Sequence, residues 1–286
     1  ATAAALRMAR GRFVSKTGGT QQQYWLEGFG STITKSEPYD NSPGFLAPES
    51  SAERYHITGK SSVDIDECAI LAHSVEAAAQ QGRASPMDSS TCSHGGIVII
   101  SDVIEQGIDY LYQRSLAMQD ATRQWHIHKM SPPANSDEVY LVIGSTGIYA
   151  PTGKQVAKVA DMLQQDPSRM KEIDTIGQIA RRGIKALREG DFAAVGRTMT
   201  ENQLMLSSIG VSSPELDNLI KAASPSSLGA KLTGAGGGGC MVALTRNPKE
   251  TSDAIELAGG RTLISRLGSS GLSIDESQNT TFWTKP

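Results

Sequence analysis

No stretch of this sequence approaches the ~18 consecutive apolar residues of a bilayer-spanning helix, so no such span is expected. No apolar segment of signal-peptide type follows the short, slightly basic stretch Ala1–Arg12. A basic excess is also lacking: 27 Lys and Arg face 30 Asp and Glu, for a formal net charge of −3. Without a positive field, nucleic acid is not an expected partner. Cysteines are few and scattered. Cys68, Cys92 and Cys240 are odd in number and show no metal-ligand spacing, which fits a reducing, cytoplasmic setting. There is no internal repeat. What remains is an ordinary globular composition, 38% hydrophobic and 20% charged over 286 residues. That length suits one large domain or two packed lobes with a sizeable core.

Glycine is the exception to this plainness. Lys231-Leu232-Thr233-Gly234-Ala235-Gly236-Gly237-Gly238-Gly239-Cys240 holds five glycines in ten residues and runs directly into the apolar Met241-Val242-Ala243-Leu244. It cannot be a helix interior, where each Gly costs roughly 0.5–1 kcal/mol relative to Ala. A backbone without Cβ atoms can approach a ligand closely and aim successive N–H groups at an anion. A phosphate-handling loop or a tight site wall is expected there, before a buried strand.

Around it, residues 1–66 are interrupted by Gly18-Gly19, Pro38, Pro43-Gly44 and Pro48, with only short strand candidates such as Ser31–Thr34. From Asp66 to Gln81, apolar residues at three- and four-residue steps (Cys68, Ala69, Leu71, Ala72, Val75, Ala78, Ala79) predict a buried helix, capped by Asp64 or Asp66 and ended by Gly82. A loop is expected over Arg83–Gly96, then a strand at Ile97–Ile100 and a helix over 102–124. Ser131–Ser136 reads as a linker. A strand at Val139–Gly144 follows. Helices are expected over 153–164, 168–189, Phe192–Ser208, Pro214–Ala223 and Ile255–Arg266, and terminal strands at Leu272–Ile274 and Thr281–Trp283. Strands alternating with helices imply an α/β or α+β fold.

The segment Gly82–Gly96 sets one carboxylate, Asp88, among Ser85, Ser89, Ser90, Thr91 and Ser93, and ends on Gly95-Gly96. An acid so placed can orient or deprotonate a substrate hydroxyl, as in phosphoryl transfer, or it can simply cap a turn. Glu76, on the preceding helix, is a candidate Mg²⁺ ligand or a solvated helical residue. His94, His126 and His128 have no metal spacing, and surface or hydrogen-bonded roles are expected. Cys92 and Cys240 read as small packing residues, Lys16 as a surface lysine, and Arg181-Arg182 as a solvated helix face.

Residues 231–240 resemble the third motif of the GHMP kinases, most of all in its mevalonate kinase form. Gly82–Gly96 resembles the segment carrying that family's catalytic Asp, in its archaeal wording. Ser145–Gly147 through Thr152–Lys154, and Asn202–Leu206 with Ile209–Ser212, are similar to two further stretches, so the likeness runs from about Asp66 to Leu244. It implies an α+β, two-lobed fold. A mixed N-terminal lobe (ribosomal protein S5 domain 2-like) would occupy 1–134, atypical before residue 66. A ferredoxin-like C-terminal lobe would occupy 135–286. It further implies ATP and Mg²⁺ as cofactors and phosphorylation of mevalonate to 5-phosphomevalonate. Asp88 would be the catalytic base, Glu76 the metal ligand, and Ser85, Thr91, Gly234 and Ala235 substrate neighbours. Gly234, Gly236 and Gly237 would line the nucleotide, and a cytoplasmic homodimer is suggested. The family's other two motifs are not found intact: Gly11–Lys16 keeps a Gly and a Lys, and Pro48–Ala52 keeps Ser-Ser-Ala but has Glu49 where a Gly is expected. A GHMP-type kinase for another hydroxy acid or sugar, and a non-catalytic relative, therefore remain alternatives.

Overall fold

The computed structural model describes residues 65–80, 84–117, 122–133 and 138–273. The expected features at Gly11–Lys16, Ser31–Thr34, Pro48–Ala52, Asp64, Gly82 and Thr281–Trp283 lie outside them. The described residues form two compact units: those up to Met130 with those from Ser270, and Ser131–Ser269. No described helix is long and apolar enough to cross a membrane.

In the first unit, helix α1 (Ile65–Ala79) and helix α2 (Met87–His94) precede strands β1 (Ile97–Ser101), β2 (Asp109–Ala117) and β3 (Thr122–Met130). The α1 helix falls where apolar spacing predicts it, but its buried side differs. Cys68, Ala69, Leu71, His73 and Ala77 are buried, while Val75 is 63% exposed and Ala78 and Ala79 face solvent. Asp66 lies inside the helix rather than capping it. The expected loop at 83–96 contains α2. Ser and Thr are poor helix formers because they bond to nearby backbone instead. Tertiary burial of Ser89, Ser90, Ser93 and His94 overrides that preference. Ser90 Oγ and the Tyr112 hydroxyl lie 3.2 Å apart, which ties α2 to β2.

Among the described residues of 102–124 no helix forms; β2 and β3 stand there as an antiparallel pair, with β3 central in a sheet ordered β1-β3-β2. Tyr110, Tyr112 and Trp125 favour the pleated surface, and Gly107 turns the chain at φ 70° before β2. Leu272 and Ser273 form no strand, although Ser270 bridges to Gly95 and the Leu272 N–H donates to the Ser93 carbonyl at 2.9 Å.

The second unit runs β4 (Tyr140–Ser145), α3 (Thr152–Gln165), α4 (Met170–Glu189), α5 (Phe192–Ser208), α6 (Pro214–Ala223), β5 (Gly229–Thr233), β6 (Cys240–Thr245), α7 (Pro248–Leu257) and β7 (Arg261–Arg266). Gly190, left-handed at φ 72°, ends α4, and the Asp191 and Ser213 side chains cap α5 and α6. The helix expected over Ile255–Arg266 is instead the end of α7, a turn at Gly259 (φ 92°) and strand β7. The antiparallel sheet is ordered β5-β6-β4-β7. With helices between β4 and β5 and between β6 and β7, this is the β-α-β-β-α-β plan of a ferredoxin-like layer.

Val142, Leu216, Leu219, Leu232, Met241 and Ile255 form its main core, and Phe192, Val195, Val139 and Leu244 a second cluster. Each such side chain contributes roughly 1.5–3 kcal/mol by leaving water. Helix α5 meets β5 at Gly196 and Gly229, where a Cβ on either would come within 2.1 Å of the other chain segment's backbone.

Edge strand β5 is held by a polar clamp. The buried Gln203 accepts from the Leu232 N–H at 2.8 Å through Oε1. Its amide nitrogen, with two hydrogens to donate, lies 3.1–3.3 Å from oxygens of Ser207, Ser212 and Asp217. Gln203→Leu leaves the Leu232 N–H without this acceptor, and a loss of about 1–3 kcal/mol in urea unfolding is expected; an unchanged midpoint would argue against the clamp.

Candidate active site

The sequence singled out two loops, and each is built differently from its own unit. In the first unit, Asp88 occupies the first turn of α2, exposed, with Thr91 one turn on and also exposed. Ser85 is exposed in the short segment before α2. The helix thus divides its polar residues: Ser89, Ser90, Ser93 and His94 hold it down, while Asp88 and Thr91 remain available. Glu76 reaches the same neighbourhood from α1. Partial burial, and next the negative charge of Asp88, push its carboxyl above the usual range, opposed by the Gln80 amide at 3.1 Å. A cation bound beside these two carboxylates would relieve that repulsion. No group of three or more His, Cys, Asp or Glu suited to a metal occurs among the described residues. Mg²⁺ is compatible with such a site, since it commonly takes one or two carboxylates and fills its other positions with water and phosphate oxygens.

Neither His94 nor His128 is on the surface, which leaves the hydrogen-bonded role also expected of them, and the packing expectation for the cysteines needs correction. His94 is buried rather than on the surface, its Nε2 3.5 Å from Asp66 Oδ1. His128 is also buried and accepts from the Glu105 N–H at 3.0 Å. Cys92 is exposed and Cys240 half-buried, so neither is a closely packed core residue. Arg181 and Arg182 are solvated as expected, with Arg182 paired to Glu201.

In the second unit, the Gly-rich loop joins β5 to β6. Gly234, Gly236, Gly237, Gly238 and Gly239 all have positive φ, a run that L side chains resist. The loop is stitched to its own unit on one side. Gly237 N–H donates to the Val211 carbonyl at 2.8 Å, and Gly239 N–H to the Ile148 carbonyl at 2.9 Å. Thr146 donates to the Gly239 carbonyl through both its N–H, at 2.8 Å, and its hydroxyl, at 2.9 Å. Gly236 lies so near Val211 that a Cβ there would stand 2.0 Å from the Val211 carbonyl oxygen. The remaining part, Gly234 and Ala235, is open: no atom lies within 4 Å of a Cβ placed on Gly234. The Gly237 amide, expected to line a nucleotide, is thus already engaged by protein. Among the described residues the amides of Gly234, Ala235 and Gly236 carry no such bond. Burial lowers the pKa of Lys231, at the start of the motif, and its ammonium donates to the Leu232 carbonyl at 2.8 Å.

Sequence reasoning missed His73 and Arg114. His73 is fully buried, and Arg114 is buried beside it. The available signal was the four-residue step Ala69–His73–Ala77 on one helix face.

Residues 184–260 match the family model described as GHMP kinases C terminal. With that match set on the ferredoxin-like layer, the chain is a relative of the GHMP kinases, and its homologues are small-molecule kinases. Within that class its likeness is to mevalonate kinases. That of Pyrococcus furiosus is 36% identical over 147 residues, covering 49% of this chain and 44% of that protein. That of Pyrococcus horikoshii is 30% identical over 219 residues, covering 74% and 57%. The solved L. major mevalonate kinase in complex with R-mevalonate aligns at a TM-score of 0.56 and 26% identity, over 73% of this chain and 60% of that one. The chain thus spans about half the length of the curated relatives it matches.

Proposed function

We propose that this chain carries the phosphoryl-transfer machinery of a mevalonate kinase, converting mevalonate and ATP to 5-phosphomevalonate and ADP in isoprenoid synthesis. The observation that carries the reading is Asp88, exposed in the first turn of α2, with Glu76 of α1 near enough for the Asp88 charge to help raise its carboxyl pKa. Asp88 accepts the proton of the 5-hydroxyl as its oxygen bonds to the γ-phosphorus and the bond to the ADP oxygen breaks. Such transfer depends mainly on positioning and charge neutralisation. Glu76, with Asp88 beside it, would hold Mg²⁺, which neutralises phosphate charge when bound. Ser85 and Thr91 contact the acceptor. Gly234, Ala235 and Gly236 line the phosphates and substrate, and Gly237 shapes that wall rather than donating to it. The lobes are proposed as 1–134 and 135–286, with Ser270–Ser273 returning to the first, in a cytoplasmic homodimeric enzyme.

Coupled ADP release over a panel of hydroxy acids and sugars tests the substrate. Mevalonate is expected to give the highest kcat/KM; a different acceptor turning over faster would move the assignment within the GHMP kinases.

A further inference from the structure

His73 takes no part in the chemistry above, yet both its ring nitrogens are engaged. It lies fully buried on α1, with the Trp125 ring edge-on at 5.6 Å. Arg114 Nε donates to His73 Nδ1 at 2.9 Å. A guanidinium can only donate, so Nδ1 is the bare acceptor and the ring proton sits on Nε2. That Nε2–H points at the Ala84 carbonyl, 3.2 Å away, which can only accept. The tautomer is fixed from both ends. The other guanidinium nitrogens donate to Ser74 Oγ at 2.8 Å and to the Ser115 carbonyl, and Ser74 Oγ donates in turn to the Ile70 carbonyl at 2.8 Å.

A buried guanidinium is costly unless its donors are met. Here one is met by a neutral imidazole. Burial, and less strongly the Arg114 charge, lower the His73 pKa, against the opposing Ala84 hydrogen bond. The chain of bonds runs from β2 through α1 to Ala84, itself buried. Ala84 is followed by exposed Ser85 and by Pro86, whose carbonyl accepts from the Ser90 N–H at 3.0 Å and the Ser89 hydroxyl at 3.2 Å. Ala84 is pinned three residues before α2 begins at Met87, and Asp88 is in the first turn.

We propose that His73 is a positioning residue for Asp88: as a neutral relay between Arg114 and the Ala84 carbonyl, it fixes the start of α2 and so the direction of the carboxylate. This rests on the reading of Asp88 as the base. The side chain is replaceable in principle by Gln, whose carbonyl can accept from Arg114 while its amide donates to Ala84. Phe fills the space and does neither.

The chain is compared as wild type, His73→Phe and His73→Gln, by steady-state kinetics with mevalonate and Mg-ATP and by amide hydrogen exchange. His73→Phe is expected to lower kcat about 100-fold, the scale of a misplaced catalytic group, with KM changed by no more than about twofold. Exchange in α2 should quicken about tenfold while β1–β3 keep their protection. His73→Gln should restore most of both, and the wild-type imidazole should give the ¹⁵N shifts of an Nε2–H tautomer. The proposal is overturned if Phe leaves kcat and α2 exchange as in wild type. It is equally overturned if exchange rises uniformly through the unit with Gln no better than Phe, which is a merely structural role. Should the wild type turn over no acceptor, the reading of Asp88 fails, and the exchange comparison alone decides the relay: an α2-specific, Gln-rescued change supports it, and any other pattern overturns it.

Discussion

Asp88→Ala should lower phosphoryl transfer by about 10²–10⁴-fold or more, the range a positioned general base supplies, and leave the fold intact. The two halves of this expectation separate because of where Asp88 sits. It is exposed in the first turn of an eight-residue helix that begins at Met87 after Pro86. Its only foreseeable folding role is the favourable meeting of a carboxylate with a helix N-terminus, about 0.3–1 kcal/mol at such a surface site. The residues that hold α2 down are others: Ser90 against Tyr112, and the buried Ser89, Ser93 and His94. Urea unfolding should therefore shift by no more than about 1 kcal/mol while kcat collapses. Wild-type turnover in the variant would remove Asp88 from the mechanism. A loss of activity matched by unfolding would make it a structural residue.

The largest stability effect is expected at Gly236. Gly236→Ala places a Cβ 2.0 Å from the Val211 carbonyl oxygen, a backbone atom with no rotamer to escape into, at a φ of 82°. Overpacking costs about 1–3 kcal/mol and a left-handed alanine about 1–2 kcal/mol, and together they predict about 2–5 kcal/mol. Gly234→Ala is the control. It has a similar φ of 80° but open space around its Cβ, so only the conformational cost of about 1–2 kcal/mol applies. Equal losses at the two positions would mean that the close approach of the loop to Val211 does not matter. The order of the two, measured by urea denaturation, tests whether the loop is a rigid wall fastened to its unit or a free Gly-rich strap.

Much of the second unit was legible in the sequence, and for clear reasons. Helices α3 to α6 carry sustained apolar periodicity with Gly190, Asp191, Ser213 and Pro214 as punctuation, and five glycines beside an apolar run admit few structures. The first unit was harder. Leu111 and Leu116 fit a helical pattern loosely, but Tyr110, Tyr112 and Trp125 belong to a hairpin whose pairing is non-local. β7 was absorbed into a helix although Gly259-Gly260 breaks it. Helix α2 has no local propensity to announce it: it exists because its serines and His94 are buried against β2 and α1. Asp88 stands out in the sequence as a candidate because carboxylates in Gly- and Ser-rich loops are few. His73 and Arg114 could not, because a polar residue on an apolar helix face is unremarkable until its partner, 41 residues on, is seen to meet it.

The central claim is that this chain transfers a phosphoryl group from ATP to mevalonate. ³¹P NMR of the purified chain with mevalonate and Mg-ATP reads it most directly. The account predicts a growing phosphomonoester resonance of 5-phosphomevalonate in step with ADP, absent for Asp88→Ala. ATP and mevalonate left unchanged by the wild-type chain, or product formed equally well by the variant, would contradict it.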